Sequence, residues 1–227
     1  ITNTTVIFVR NFITNYKSTI LFTNMPKLSF DIKTIFDINS DNEFNEKALK
    51  IFHWQAKNIP VYKEYISSLE VKRETINKIE GIPFLPVQFF KSREVIEKGI
   101  APETIFKSSG TTETGRSQHL VADLNLYQQS FTKGFELAYG KICNTCVIAL
   151  LPNYKEQGDS SLIYMIDSLI EKSNHSKSGF YLNEKNALLD TLSELKKSNT
   201  KTLLIGVTFA LLDFIEKQKI DFSNLIV

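Results

Sequence analysis

The chain has 227 residues, 42% hydrophobic and 23% charged, with 27 Lys and Arg against 25 Asp and Glu and a formal net charge of +2. Such a composition describes a globular chain with one sizeable core or two small ones, and excludes collagen, intrinsic disorder and, with two cysteines, a disulfide scaffold. The near-neutral balance gives no reason to expect nucleic acid or an anionic membrane as partner, and so few cysteines point to a reducing, cytoplasmic setting.

Residues 1–24 carry Arg10 and Lys17, no acid, and short apolar bursts between Thr and Asn. No apolar stretch reaches the ~18 residues that a stable membrane span needs. The segment reads either as a leader from upstream of the true start or as a β-rich edge segment. The start at Ile1 and the stop at Val227 inside an apolar run are expected to be the cut ends of a fragment.

Residues 25–103 are expected to form a helical segment packed on a main domain. Ser40-Asp41-Asn42-Glu43 has the spacing of a capping box. Phe44, Ala48, Ile51, Phe52 and Gln55 follow at helical spacing, and Asn58-Ile59-Pro60 ends the pattern. His53-Trp54 reads as a packed aromatic face of this helix. A shorter helix is expected over 61–68. Ile82-Pro83-Phe84-Leu85-Pro86 is a connector, since two prolines remove donors and fix φ. The run from Lys91 to Lys98 reads as a solvated surface.

Residues 104–227 are expected to be an α/β domain, truncated at its C-terminal end. Segments 104–107 and 118–122 read as strands. Asp123 is a good N-cap for a helix over 124–139, with Leu124, Tyr127, Phe131, Phe135 and Ala138 in one stripe and Gly140 at C′. The continuous apolar run 145–151 has the signature of a strand buried on both faces. A helix capped by Ser160 or Ser161 follows to residue 172, then a helix over 184–197 with Ala187, Leu188, Leu192 and Leu195 inward. Residues 202–207 are another buried strand, 209–218 a helix, and 224–227 the beginning of a strand. The fold class is therefore α/β: a mainly parallel sheet with helices on both faces, preceded by a helical segment.

The chemistry concentrates between the first two strands. Residues 108–117 hold six hydroxyls, two glycines and one cation, the makings of a phosphate cradle, because glycines turn backbone N–H groups inward and hydroxyls add donors without bulk. The Walker spacing is met only with Arg116 in the place of the lysine, and a β-like segment rather than a helix follows, which speaks against that motif. His119, on the strand after the loop, either faces a nucleotide or acyl carboxylate or is a hydrogen-bonded structural residue. Asn153 and Tyr154 follow a buried strand at the end where open parallel sheets place ligands, or form a plain turn after Pro152. Ser160 is an N-cap at a helix end that could also hold an anion. Cys143 and Cys146 have C-x-x-C spacing but precede a strand rather than a helix N-terminus, so both read as structural.

The order Ser108-Ser109-Gly110-Thr111-Thr112, followed by a turn and Arg116, resembles the phosphate-binding loop of the adenylate-forming superfamily, [ST]-[ST]-G-[ST]-T-G-x-P-K. Glu113 stands at the motif's second glycine and Arg116 at its lysine. Further blocks at Ser117-Gln118-His119-Leu120-Val121, Leu150-Leu151-Pro152-Asn153-Tyr154 and Gly206-Val207-Thr208-Phe209 resemble the LuxE-like acyl-protein synthetase and acyltransferase branch. That resemblance implies a three-layer αβα domain, with ATP and Mg²⁺ as cofactors. It implies activation of a fatty acid or other small carboxylic acid as acyl-adenylate, then transfer to a thiol acceptor, a protein cysteine or CoA. Ser108, Ser109, Gly110, Thr111 and Thr112 would hold the phosphates, with Arg116 and His119 as catalytic groups and Asn153, Tyr154 and Ser160 near the substrate. A CoA ligase of the phenylacetate type and a non-catalytic nucleotide-binding or interaction domain are the alternatives. The family's AMP-holding Glu/Gly-rich segment and mobile C-terminal part are expected after the point where the chain stops.

Overall fold

Ser40 starts the first helix, α1 (Asp41–Asn58), from an extended backbone, its hydroxyl accepting from the Glu43 N–H at 3.2 Å. Glu43 Oε2 returns a bond at 2.8 Å to the N–H of Asn39, one residue before the cap. The box is present but shifted by one position on its return arm. Ile59 ends α1 in extended conformation and, with Pro60 at the first helical position, begins α2 (Pro60–Ser68), where proline's fixed φ and missing donor are harmless. The structure, a computed structural model, describes residues 32–108, 116–151, 158–217 and 222–227; the leader 1–24 lies outside them.

The inward face of α1 and α2 builds one core, in which Ile51, Phe52, Ala56, Tyr62 and Ile66 are buried with Ile35 and Ile82. Phe52 meets Tyr62 edge-to-face at 6.2 Å, the geometry that ring quadrupoles favour. The Tyr62 hydroxyl donates to the Pro83 carbonyl at 2.7 Å, which pins the 82–86 connector, and Phe84 and Leu85 pack on the same core. Trp54 is partly buried against it as expected. The stretch 91–98 corrects the reading as plain solvated surface. After the single-turn α3 (Phe89–Ser92), Arg93, Glu94 and Lys98 are exposed, but Ile96 and Glu97 are buried, because Ile96 packs on Leu120 and Ala122.

β1 (Thr104–Lys107) and β2 (Gln118–Val121) pair antiparallel as a two-stranded sheet of their own. They stand apart from the parallel sheet. Asp123 caps α4 (Leu124–Tyr139) through a 2.8 Å bond from the Leu126 N–H, and Glu103 Oε2 accepts from the Leu124 N–H at 2.7 Å. Gly140, at φ +79°, ends α4 by donating to the Glu136 carbonyl at 2.9 Å, a left-handed C′ that a Cβ would strain. Of the predicted stripe, Phe135 is buried but Ala138 is exposed, and Leu126 is buried in addition. Among the described residues the chain divides within α4, between Ser130 and Phe131, so the hairpin groups with the helices that precede it.

The second unit is a parallel four-stranded sheet in the order β4-β3-β5-β6, made of β3 (Cys146–Leu150), β4 (Gly179–Phe180), β5 (Thr202–Gly206) and β6 (Leu225–Ile226). Helices α5 (Ser161–Ser173), α6 (Lys185–Lys197) and α7 (Thr208–Lys217) connect them in turn. All five β3 residues are buried, and the pleat sends them to opposite faces. Val147 and Ala149 pack with Ile166 and Leu169 of α5; Cys146, Ile148 and Leu150 pack with Leu188, Leu192 and Leu195 of α6 and Phe214 of α7. A strand covered on both sides needs a continuous apolar run rather than an alternating one. The two-residue β4 had no signal in the sequence. Beyond its short ladder the Val147 N–H finds the Ser178 hydroxyl at 2.9 Å, which in turn bonds Ser173 Oγ at 2.8 Å. No helix among the described residues is long and apolar enough to cross a membrane.

Candidate functional site

The β1–β2 register ends at the pair Lys107 and Gln118, and the next two residues close the neck of the loop. The Ser108 N–H donates to the Ser117 carbonyl at 3.0 Å, and the Ser117 N–H donates to Ser108 Oγ at 3.0 Å. Arg116 folds back over this neck and donates from Nε to the Ser108 carbonyl. The guanidinium is thus fixed on exposed backbone at the mouth of the Ser/Thr/Gly loop by one of its five N–H groups. Ser109, Gly110, Thr111 and Thr112 lie outside the described residues, as do Asn153 and Tyr154.

His119 sits opposite Phe106 on the hairpin. Its ring is held edge-on between Phe90, with centroids 6.4 Å apart, and Tyr127, at 5.8 Å. Tyr127 lies one turn into α4, so the Asp123 and Glu103 caps that set the start of that helix also set this wall. Tyr127 packs on Phe106 as well, at 5.3 Å. His119 Nε2 is closed off from solvent and, among the described residues, has no hydrogen-bond partner. Burial pushes the imidazole down from 6.5 to about 4, because the charged form would lose its hydration. At neutral pH the ring is therefore uncharged, and it carries an unused polar atom.

Ser160 is the N-cap of α5: its Oγ accepts from the Ile163 N–H at 3.4 Å. Of the two cap candidates it is Ser160 that serves. Both cysteines are free; Cys143 is exposed and Cys146 buried. Burial pushes the Cys146 thiol up, with a Ser178 hydrogen bond opposing, the environment of an inert sulfur. Among the described residues no group of three or more His, Cys, Asp or Glu could hold a metal ion. Sequence reasoning placed Tyr127 on an inward stripe but had no signal for Phe90 as the second wall of His119, since nothing local links the two. Comparison of the chain with protein-family models, curated proteins and solved structures finds no match.

Proposed function

We propose that the protein activates a carboxylic acid, a fatty acid or another small one, as its acyl-adenylate, and passes the acyl group to a thiol acceptor, a protein cysteine or CoA. The same reading makes the parallel-sheet unit part of a three-layer adenylate-forming domain of the LuxE-like branch working in the cytoplasm. The observation that carries it is the neck of the hairpin: a hydroxyl- and glycine-rich loop closed by Ser108 and Ser117, with Arg116 fixed at its mouth. A guanidinium next in sequence to a segment rich in hydroxyls and glycines suits a polyphosphate. Mg²⁺ would come with the phosphates of ATP and keep water in its shell, where it would neutralise their charge.

Adenylation is an in-line attack of a carboxylate oxygen on the α-phosphorus of ATP, with pyrophosphate leaving. The protein's task is positioning and charge neutralisation. Ser108, Ser109, Gly110, Thr111 and Thr112 orient the phosphates, and Arg116 stabilises the negative charge that grows on the leaving group. His119, neutral at pH 7, offers one hydrogen bond to the acyl carboxylate or the nucleotide without repelling a cation. Asn153, Tyr154 and Ser160 are assigned to the substrate.

The full-length protein, given ATP, Mg²⁺, a fatty acid and hydroxylamine, should yield acyl hydroxamate and pyrophosphate. Neither product, from protein that is folded, would sink the enzyme reading. A second reading, a nucleotide-binding domain without catalysis, is favoured by Glu113 at the motif's second glycine, since a carboxylate beside polyphosphate repels it; it predicts ATP binding with no pyrophosphate. A CoA ligase of the phenylacetate type would instead form hydroxamate and show acyl-CoA as its product.

A further inference from the structure

The single turn α3 carries two consecutive aromatic residues that face different neighbours. Phe89 meets Tyr65 of α2 with ring centroids 5.6 Å apart and an interplanar angle of 63°. Arg93, the next residue after the turn, is ion-paired with Glu64 of the same helix. Phe90 goes to the hairpin instead, its ring 6.4 Å from that of His119 at 82°. Two adjacent residues of α2 thus anchor the turn, and the turn presents Phe90 to β2. Tyr127 stands by the same imidazole at 5.8 Å and 68°. Both contacts are the edge-to-face kind that ring quadrupoles favour.

Neither neighbour brings a charge at neutral pH. The charged groups on the surrounding elements are exposed or engaged: Lys91 and Lys107 are exposed, Arg93 is held by Glu64, Arg116 donates to the Ser108 carbonyl, and Asp123 and Glu103 accept from N–H groups at the start of α4. Burial is the cause that displaces His119 from its ordinary 6.5, so the rings that keep water off the imidazole set its charge.

We infer that Phe90 is a positioning residue for His119: the helical segment reaches the hairpin with one aromatic ring, fixes the imidazole edge-on and excludes water from it. The inference rests on the reading of His119 as a group of the reaction site. It adds that α3, anchored on α2, sets the working state of that group.

The test follows the His119 ring by nuclear magnetic resonance through a pH titration of the full-length protein, beside the pH profile of hydroxamate formation, in wild type, Phe90→Leu and Phe90→Ala. The wild-type ring should titrate at about 4. Phe90→Leu, which keeps apolar bulk, should raise the titration measurably, and Phe90→Ala, which admits water, by about 1–2 pH units toward the ordinary value. The acid limb of hydroxamate formation should move up with it, a change that lost stability alone does not produce. An unmoved His119 titration in the folded variants overturns the inference, as does a displaced titration with an unmoved acid limb. If Phe90→Ala does not fold, Phe90→Leu decides by the same two readouts. Wild-type protein that forms no hydroxamate at any pH, while the titration moves as stated, sinks the acyl-activation reading and supports the hold of Phe90 on the ring.

Discussion

His119 loses its hydration between Phe90 and Tyr127 without gaining a partner for Nε2, so it destabilises the fold by roughly 1–3 kcal/mol in return for a neutral, pre-positioned ring. Because its folded pKa, about 4, lies below the ordinary 6.5, the unfolded chain takes up the proton first. Stability is therefore full above pH 6.5 and falls by a few kcal/mol as the pH drops toward 4. Glu97, raised by burial, acts in the opposite sense: its contribution is present below the ordinary 4.5 and is lost as pH rises through the folded value. His119→Phe should keep or raise the thermal midpoint at neutral pH, abolish the acid limb assigned to His119, and lower hydroxamate formation about 100-fold or more. A lower midpoint with unchanged activity would make the residue structural. Gly206 is a second residue with a single reason. A Cβ there would meet Leu150 Cβ at 2.9 Å, the Leu150 carbonyl at 3.0 Å and Leu211 Cγ at 3.1 Å. Gly206→Ala should cost about 1–3 kcal/mol in chemical denaturation; a neutral result would mean that β3 and β5 part easily at this end.

At the scale of elements, what the sequence made legible was whatever depends on near neighbours. Ser40, Pro60, Asp123 and Gly140 each mark a helix boundary through groups within one turn, and each boundary lies within a residue or so of its expected place. The apolar run of β3 announced its two covered faces for the same reason. What stayed hidden depends on pairing across the chain. The antiparallel hairpin, which stands outside the parallel sheet, is set by register. The Arg116 bond to Ser108 exists because that register brings residues 108 and 116 to the same neck. Phe90 reaches His119 through tertiary packing, and Glu97 is buried because its neighbour Ile96 follows the β2 end inward. The hydroxyl- and glycine-rich composition of residues 108–117 was legible, while the environment of His119 was not. β4 is too short to show any period, and its shortness has a consequence: the fully buried Val147 N–H relies on a serine side chain. Ser178→Ala should leave that donor orphaned and cost about 1–3 kcal/mol, visible in amide exchange as faster loss of protection in β3 than in β5. Equal protection in both strands would show that another acceptor takes over.

For the molecule as a whole, the two units present different kinds of surface chemistry. The first unit gathers the hairpin neck and the neutral histidine; the second is a parallel sheet whose described polar groups mostly cap and tie its own elements, as Ser160 and Ser178 do. The proposed reaction asks the loop for charge and geometry and asks little covalent chemistry of any side chain. The most direct measurement is fatty-acid-dependent exchange of labelled pyrophosphate into ATP by the full-length protein, with Arg116→Ala as companion. Acyl-adenylate formation predicts exchange that requires both acid and Mg²⁺ and falls roughly 100-fold in the variant. ATP bound by folded protein with no exchange at any acid concentration would contradict it.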